Sequence, residues 1–347
     1  MVCLARSPCA ESRPAYRGPP VNTADLVARF ADLPKGAGRE EFKAIALSEN
    51  RRDFLAKAED GAPVFLLHDS STAKYVPEIN FRHLSAQFHV TCRVMVEAQA
   101  LENQFCLVSC DGATPALFEL FIRCVAGAVE GIPANAGTRE LEACIAQLRD
   151  LFRALTAPSS RELPGLWAEL YVILRCGHSA GALGLWHSDQ FDRYDFSSEA
   201  LCLEVKATVR GTRVHEFALE QLEPPADGVG LVASLLLQPL TGGLGVLDLA
   251  RRIEEAAPGD AKLRLKLWQN IAAALGTDFS AGLDRQFDMS FADRNLAVYL
   301  MADIPRPARP IDPRVTGLRF AVELATVSSS LLGQPLQALA RAFEHSI

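Results

Sequence analysis

The chain has 347 residues, 49% hydrophobic and 22% charged, with a formal net charge of −7. That length suits one large core or two moderate ones, and the balance is that of a soluble globular protein. The acidic excess argues against coating nucleic acid through bulk charge, though it leaves room for a local basic groove. No uninterrupted apolar run reaches the roughly 18 residues of a membrane span, and the most apolar stretch, residues 229–237, is too short.

Residues 1–22 are rich in Pro, Arg, Ser and Gly and have no apolar h-region, so they read as a disordered tail without a signal peptide. Residues 23–60 read as helical, because Leu26, Val27, Phe30 and Leu33 follow helical spacing and Phe54 and Leu55 continue the pattern. From 63 to about 110 the reading changes to short β-prone runs, at 64–67, 85–97 and 105–108. Residues 117–129 and 139–155 are then helical, the second with an apolar stripe of Leu141, Cys144, Ile145, Leu148, Leu151 and Phe152. Together these make an N-terminal β-rich α+β domain over 23–157.

The break at Ala157-Pro158-Ser159-Ser160 starts a second domain, 158–347. Leu163-Pro164-Gly165 opens a helix carrying Glu169, since Pro suits a first helical turn. Residues 183–186 lead to two short strands around a polar turn, from Tyr194-Asp195-Phe196 to Leu203-Glu204-Val205-Lys206. Further strands are expected at 213–219, 228–237, 296–302, 318–322 and 325–328, and helices at 247–257, 261–275 and 334–345. The nine cysteines show no repeating spacing, and several lie in apolar runs, which suits buried reduced thiols and a cytoplasmic location.

The chemistry concentrates at the two short strands. Side chains alternate along a strand, so Glu204 and Lys206 share one face while Leu203, Val205 and Ala207 turn to a core. Asp195 ends the first strand and lies across from Glu204, so two carboxylates and an ammonium converge on one exposed spot. Such a trio binds a hard divalent cation and holds a water beside it. Glu169 on the preceding helix and Gln221 after the second strand complete the set.

At these residues the chain resembles the PD-(D/E)XK nuclease superfamily, whose core motif is an acidic residue on one strand followed by acidic-x-Lys on the next. The frame Gly165 to Leu170, Asp195-Phe196, Leu203 to Lys206, Arg213-Val214-His215, Gln221-Leu222 and Ile304-Pro305-Arg306 is similar to one bacterial branch found among restriction and phage-defence genes. Tyr194 stands where the superfamily usually has Pro. The resemblance implies an α/β fold: a restriction-endonuclease-like core with a central mixed β-sheet flanked by helices, behind the β-rich N-terminal domain. It implies Mg2+, or Mn2+, held by Asp195, Glu204, the Val205 carbonyl and Glu169. Lys206 would act on the attacking water, and Gln221 would position substrate or Lys206. Arg210, Arg213 and His215 would contact backbone phosphate. It implies a DNA endonuclease leaving 5′-phosphates, with helicase-like ATPase or methyltransferase partners. A homodimer would supply the second cut of a duplex.

Two rival readings use the same fold without cutting: a DNA-binding or scaffold subunit, and an interaction module that recruits a helicase or methylase. Other motifs carry less. Asp189 and Asp192 are explained by turn chemistry. His178, His187 and Cys176 lack zinc spacing and read as solvated loop residues. Cys106 and Cys110 read as strand core. Gly242-Gly243-Leu244-Gly245 lacks the Lys-Ser/Thr of a phosphate loop and reads as a plain turn. Ser328 to Ser330 offers no nucleophile elbow.

Overall fold

The computed structural model describes residues 23–344 apart from 37, 39, 49, 72–75, 98, 160–161, 188–191, 225–227, 258–259, 284, 310–311, 313, 316, 329–330 and 332. The expected N-terminal tail, Asp189 and Ser330 lie outside the described residues.

The first helix, α1 (Thr23–Asp32), is much shorter than the sequence suggests. Strands β1 (Glu41–Ala46) and β2 (Phe54–Lys57) occupy the region read as its continuation. They are followed by β3 (Pro63–His68), β4 (Ile79–Asn80), β5 (Ser85–Val96) and β6 (Gln99–Ser109). Strands β1-β2-β3-β6-β5 pair antiparallel in that order, and a parallel pairing of β1 with β5 closes them into a barrel-like ring. One set of alternating side chains fills the ring, including Phe42, Phe54, Val94 and Phe105. The other set, Ile45, Leu55, Phe65 and Val108, packs outward against helices. At His89, φ is +56° and the β5–β6 register shifts, a bulge that lets β5 curve around the ring.

Helices α2 (Phe118–Glu130) and α3 (Thr138–Ala154) follow, and every residue of the expected α3 stripe is buried. Next come α4 (Leu163–Arg175), α5 (Ser179–Leu185), β7 (Phe196–Ser197), β8 (Leu201–Thr208) and β9 (Val214–Ala218). The rest is β10 (Val229–Leu236), β11 (Pro239–Leu244), α6 (Val246–Ala256), α7 (Ala261–Leu275), α8 (Phe279–Leu283), α9 (Met289–Asn295), β12 (Leu296–Leu300), β13 (Arg319–Glu323) and α10 (Pro335–Glu344). The protein is therefore a mixed α/β fold. Residues 183–185 belong to α5, and the 325–328 strand is replaced by a 3-10 turn at Leu324–Thr326. The glycine run is not a plain turn: β11 runs through Leu244, and Gly245 caps α6 by donating its N–H to the Asp248 carboxylate at 2.8 Å.

A second sheet has the order β12-β10-β8-β7, with β8 and β10 parallel and the outer pairs antiparallel. Leu201, Leu203 and Val205 on β8 join Leu231 and Ala233 on β10 in the main core, against α4. The opposite face carries Cys202, Val232 and Tyr299 and is covered by a ribbon of β9 and β13 through Phe217 and Val322. A helical layer links barrel and sheet: α2 lies on β3, α2 and α3 on α7, α7 on α4, and α4 on β8. Seven cysteines are described; all are buried and free, as the apolar setting suggested. Among the described residues, no helix is long and apolar enough to cross a membrane.

Candidate functional site

Glu169 is fixed by the way α4 is anchored. Trp167 donates its indole N–H to the Leu244 carbonyl at 2.8 Å, and Tyr171 donates to Asp293 at 2.8 Å. These contacts set the helix rotation, and the buried carboxylate of Glu169 accepts from Trp186 Nε1 at 2.7 Å.

Asp195 precedes β7 instead of ending a strand. The β7–β8 register pairs Phe196 with Leu203, so one step further places Asp195 opposite Glu204, the cross-strand relation expected from sequence. The carboxylate of Asp195 accepts the Val205 N–H at 2.7 Å, which locks the two segments together.

Glu204 and Lys206 share a face, but the spot is buried, not exposed as the sequence suggested. The β9–β13 ribbon and its following turn cover it, and Glu204 is only 3% exposed. Its Oε1 meets Lys206 Nζ at 2.8 Å and accepts from Gln221 Nε2 at 2.6 Å. Its Oε2 is buried with no hydrogen-bond partner among the described residues. Burial first, then the neighbouring Asp195 charge, pushes the Glu204 carboxyl up to about 8, against the opposing pull of Lys206. Gln221 lies on a 3-10 turn at Leu219–Leu222, not on a helix. Its Oε1 accepts from Lys206 Nζ at 3.3 Å and from the Ala218 N–H at 3.0 Å, so one amide braces both motif side chains. Lys206 also sits over the Phe217 ring, 5.2 Å from its centroid.

The three basic residues expected to meet phosphate do not join this cluster. Arg210 is exposed at the end of β8. Arg213 donates to the Ser234 carbonyl at 2.8 Å and to its hydroxyl at 2.9 Å. His215 is buried with Nε2 2.8 Å from the same hydroxyl. The Val205 N–H, engaged by Asp195, is that residue's contact with the site.

The sequence reading missed His187. It is nearly buried, its backbone N–H reaches the Asp195 carbonyl at 2.8 Å, and its Nε2 lies 3.2 Å from Glu169 Oε2. One ligand atom from each of Glu169, His187 and Asp195 falls within 4.8 Å of the others. The available signal was Trp186-His187: an antiparallel bridge of Trp186 with Phe196 carries His187 opposite Asp195. Asp192 is exposed, and His178 instead faces Glu344 at 3.4 Å.

The family model described as "Putative PD-(D/E)XK family member, (DUF4420)" matches residues 28–325. No curated protein and no solved structure matches the chain significantly.

Proposed function

The chain belongs to this PD-(D/E)XK family, and from that premise we propose that it is a divalent-metal-dependent endonuclease hydrolysing phosphodiester bonds in DNA. The observation that carries the reading is the buried Glu204–Lys206 pair with the Asp195 charge acting on it, and with the Glu204 Oε2 atom left without a partner among the described residues. An orphaned buried carboxylate oxygen is costly unless a proton or a cation answers it, and the upward shift of Glu204 keeps a proton there until a cation displaces it. The donors fit: Asp195, Glu204 and Glu169 are hard oxygen ligands, and the Val205 carbonyl is a further candidate. A Mg2+ or Mn2+ ion there supplies Lewis-acid charge to the scissile phosphate.

The side chains do the remaining work. Lys206 orients the attacking water and offsets negative charge developing on phosphorus oxygens. Gln221 holds Lys206 and Glu204 in register, so neither spends time in unproductive rotamers. The Trp186 indole holds Glu169 toward the centre. Arg210, exposed just past the end of β8, would contact backbone phosphate.

The mixed sheet β12-β10-β8-β7 with α4 on one face supports assigning residues 158–347 as the restriction-endonuclease-like part. The barrel of 23–157 then serves recognition of DNA or of a partner. A cytoplasmic role in restriction or phage defence, beside a helicase-like ATPase or a methyltransferase, is the setting the family resemblance favours.

The test is plasmid nicking in Mg2+ and in Mn2+. Wild type should cut, and Lys206→Ala should lose roughly a hundredfold to a thousandfold in rate, as loss of a single charge-stabilising donor does. Cutting that persists undiminished in Lys206→Ala would refute the assignment. DNA bound but left intact by wild type in both ions would support a binding subunit instead.

A further inference from the structure

We propose that His187 is a nitrogen ligand of the metal centre, and that it tilts the site toward Mn2+ and away from Mg2+. This rests on the nuclease reading above and goes beyond it. The acidic-x-Lys motif contains no histidine, and its expected ligands are all oxygens.

Several independent features point the same way. His187 is pinned: its N–H reaches the Asp195 carbonyl at 2.8 Å, and its own carbonyl accepts from Asn270 Nδ2 at 2.7 Å. The ring stands edge-on to Trp186, centroids 5.4 Å apart. The side chain is 91% buried, since its exposure is 9%. Its Nδ1 has no hydrogen-bond partner among the described residues. A solvated loop histidine would show none of this. The second orphan is Glu204 Oε2, also buried and also without a partner among the described residues. Cross-strand register sets His187 opposite Asp195 and Asp195 opposite Glu204, which forms a single row across three chain segments.

Charge leads to the same conclusion. Glu169 and Asp195 lie near enough to Glu204 for their charges to act on it, all three carboxyl groups are buried, and Lys206 pairs with Glu204. A divalent ion is a fitting counter-charge for such a group of carboxylates. Its identity follows from ligand softness. Mg2+ prefers oxygen donors in a tight octahedron and sheds water reluctantly. Imidazole is a softer donor that suits first-row transition metals, and among these Mn2+ is the one that also suits carboxylate and water.

The experiment uses the full chain with Mn2+ and Mg2+ alone, without DNA. Electron spin-echo spectroscopy of bound Mn2+ should show nitrogen modulation from a coordinated imidazole in wild type, and none in His187→Asp. Calorimetry should show that His187→Asp still binds ions but lowers the Mn2+-to-Mg2+ affinity ratio on the order of tenfold. Circular dichroism checks that the variant is folded, and the wild-type spectrum reads the ligand without any variant. Absence of nitrogen modulation in wild type overturns the proposal, as does modulation that survives in folded His187→Asp. So does an unchanged affinity ratio. If nitrogen-coordinated Mn2+ is found but DNA is never cut, the nuclease reading fails while the histidine site stands. If neither ion binds, both fail.

Discussion

Acid should destabilise the fold through His215, and replacing that residue should remove the effect. The ring lies buried on β9 with Nε2 2.8 Å from the Ser234 hydroxyl. That hydroxyl oxygen also accepts from Arg213 at 2.9 Å, so the ring shares Ser234 with a fixed guanidinium charge. Burial first, then the Lys206 and Arg213 charges, lowers the imidazole from 6.5 to about 4. As pH falls, the unfolded chain therefore takes up this proton before the folded one does. The contribution is fully present above about 6.5, is lost through the window down to about 4, and levels off below it. A gap of about 2.5 pH units, at about 1.4 kcal/mol each, amounts to about 3 kcal/mol. His68, His83 and Glu204 also shift on folding, so the His215 contribution is read as the difference between wild type and a His215 variant. Urea denaturation at steps from about pH 7.5 to about pH 4.5 measures it. Relative to His215→Gln, which retains a hydrogen-bonding group for Ser234, wild type should lose about 3 kcal/mol more on acidification. Parallel stability curves for the two proteins would refute the argument.

Two further expectations concern other parts of the molecule. Arg123 is 3% exposed, pairs with Glu119 at 2.9 Å and with Glu254, and lies 5.5 Å from the centre of the Trp268 ring. Arg123→Leu strands Glu254, whose carboxyl burial already pushes up, and should cost about 3–5 kcal/mol in thermal or urea unfolding; a cost under about 1 kcal/mol would mean that α2 and α6 are not tied together there. Gln221→Ala removes the brace shared by Glu204 and Lys206 and should lower single-turnover cleavage roughly tenfold with DNA affinity nearly unchanged. An equal loss in affinity would instead make Gln221 a substrate contact.

The pattern of what could be read from the residues has a physical origin. A helix writes its one-sided burial at three- and four-residue spacing, and for that reason the stripe from Leu141 to Phe152 was legible and every member is buried. The pairing of Asp195 with Glu204 was legible for a similar reason: a hairpin is local, and its register follows from a short turn. Strand β1 was not. Glu41, Lys43 and Ala44 are good helix formers, and what makes them a strand is pairing at its two ends, Ala44 with nearby β2 and Glu41 and Lys43 with β5 far along the chain. The burial of Glu204 was hidden in the same way. Alternation identifies its face, but the ribbon that covers that face includes β13, from near the other end of the protein. His187 combines both difficulties, since it follows a helix in a polar segment and gains its place from one bridge, Trp186 to Phe196. Local pattern thus located the acidic-x-Lys motif, while long-range pairing decided that it is buried and which histidine stands beside it. For the proposed metal, the buried setting would strengthen its hold, because the same carboxylates on an open strand would be solvated.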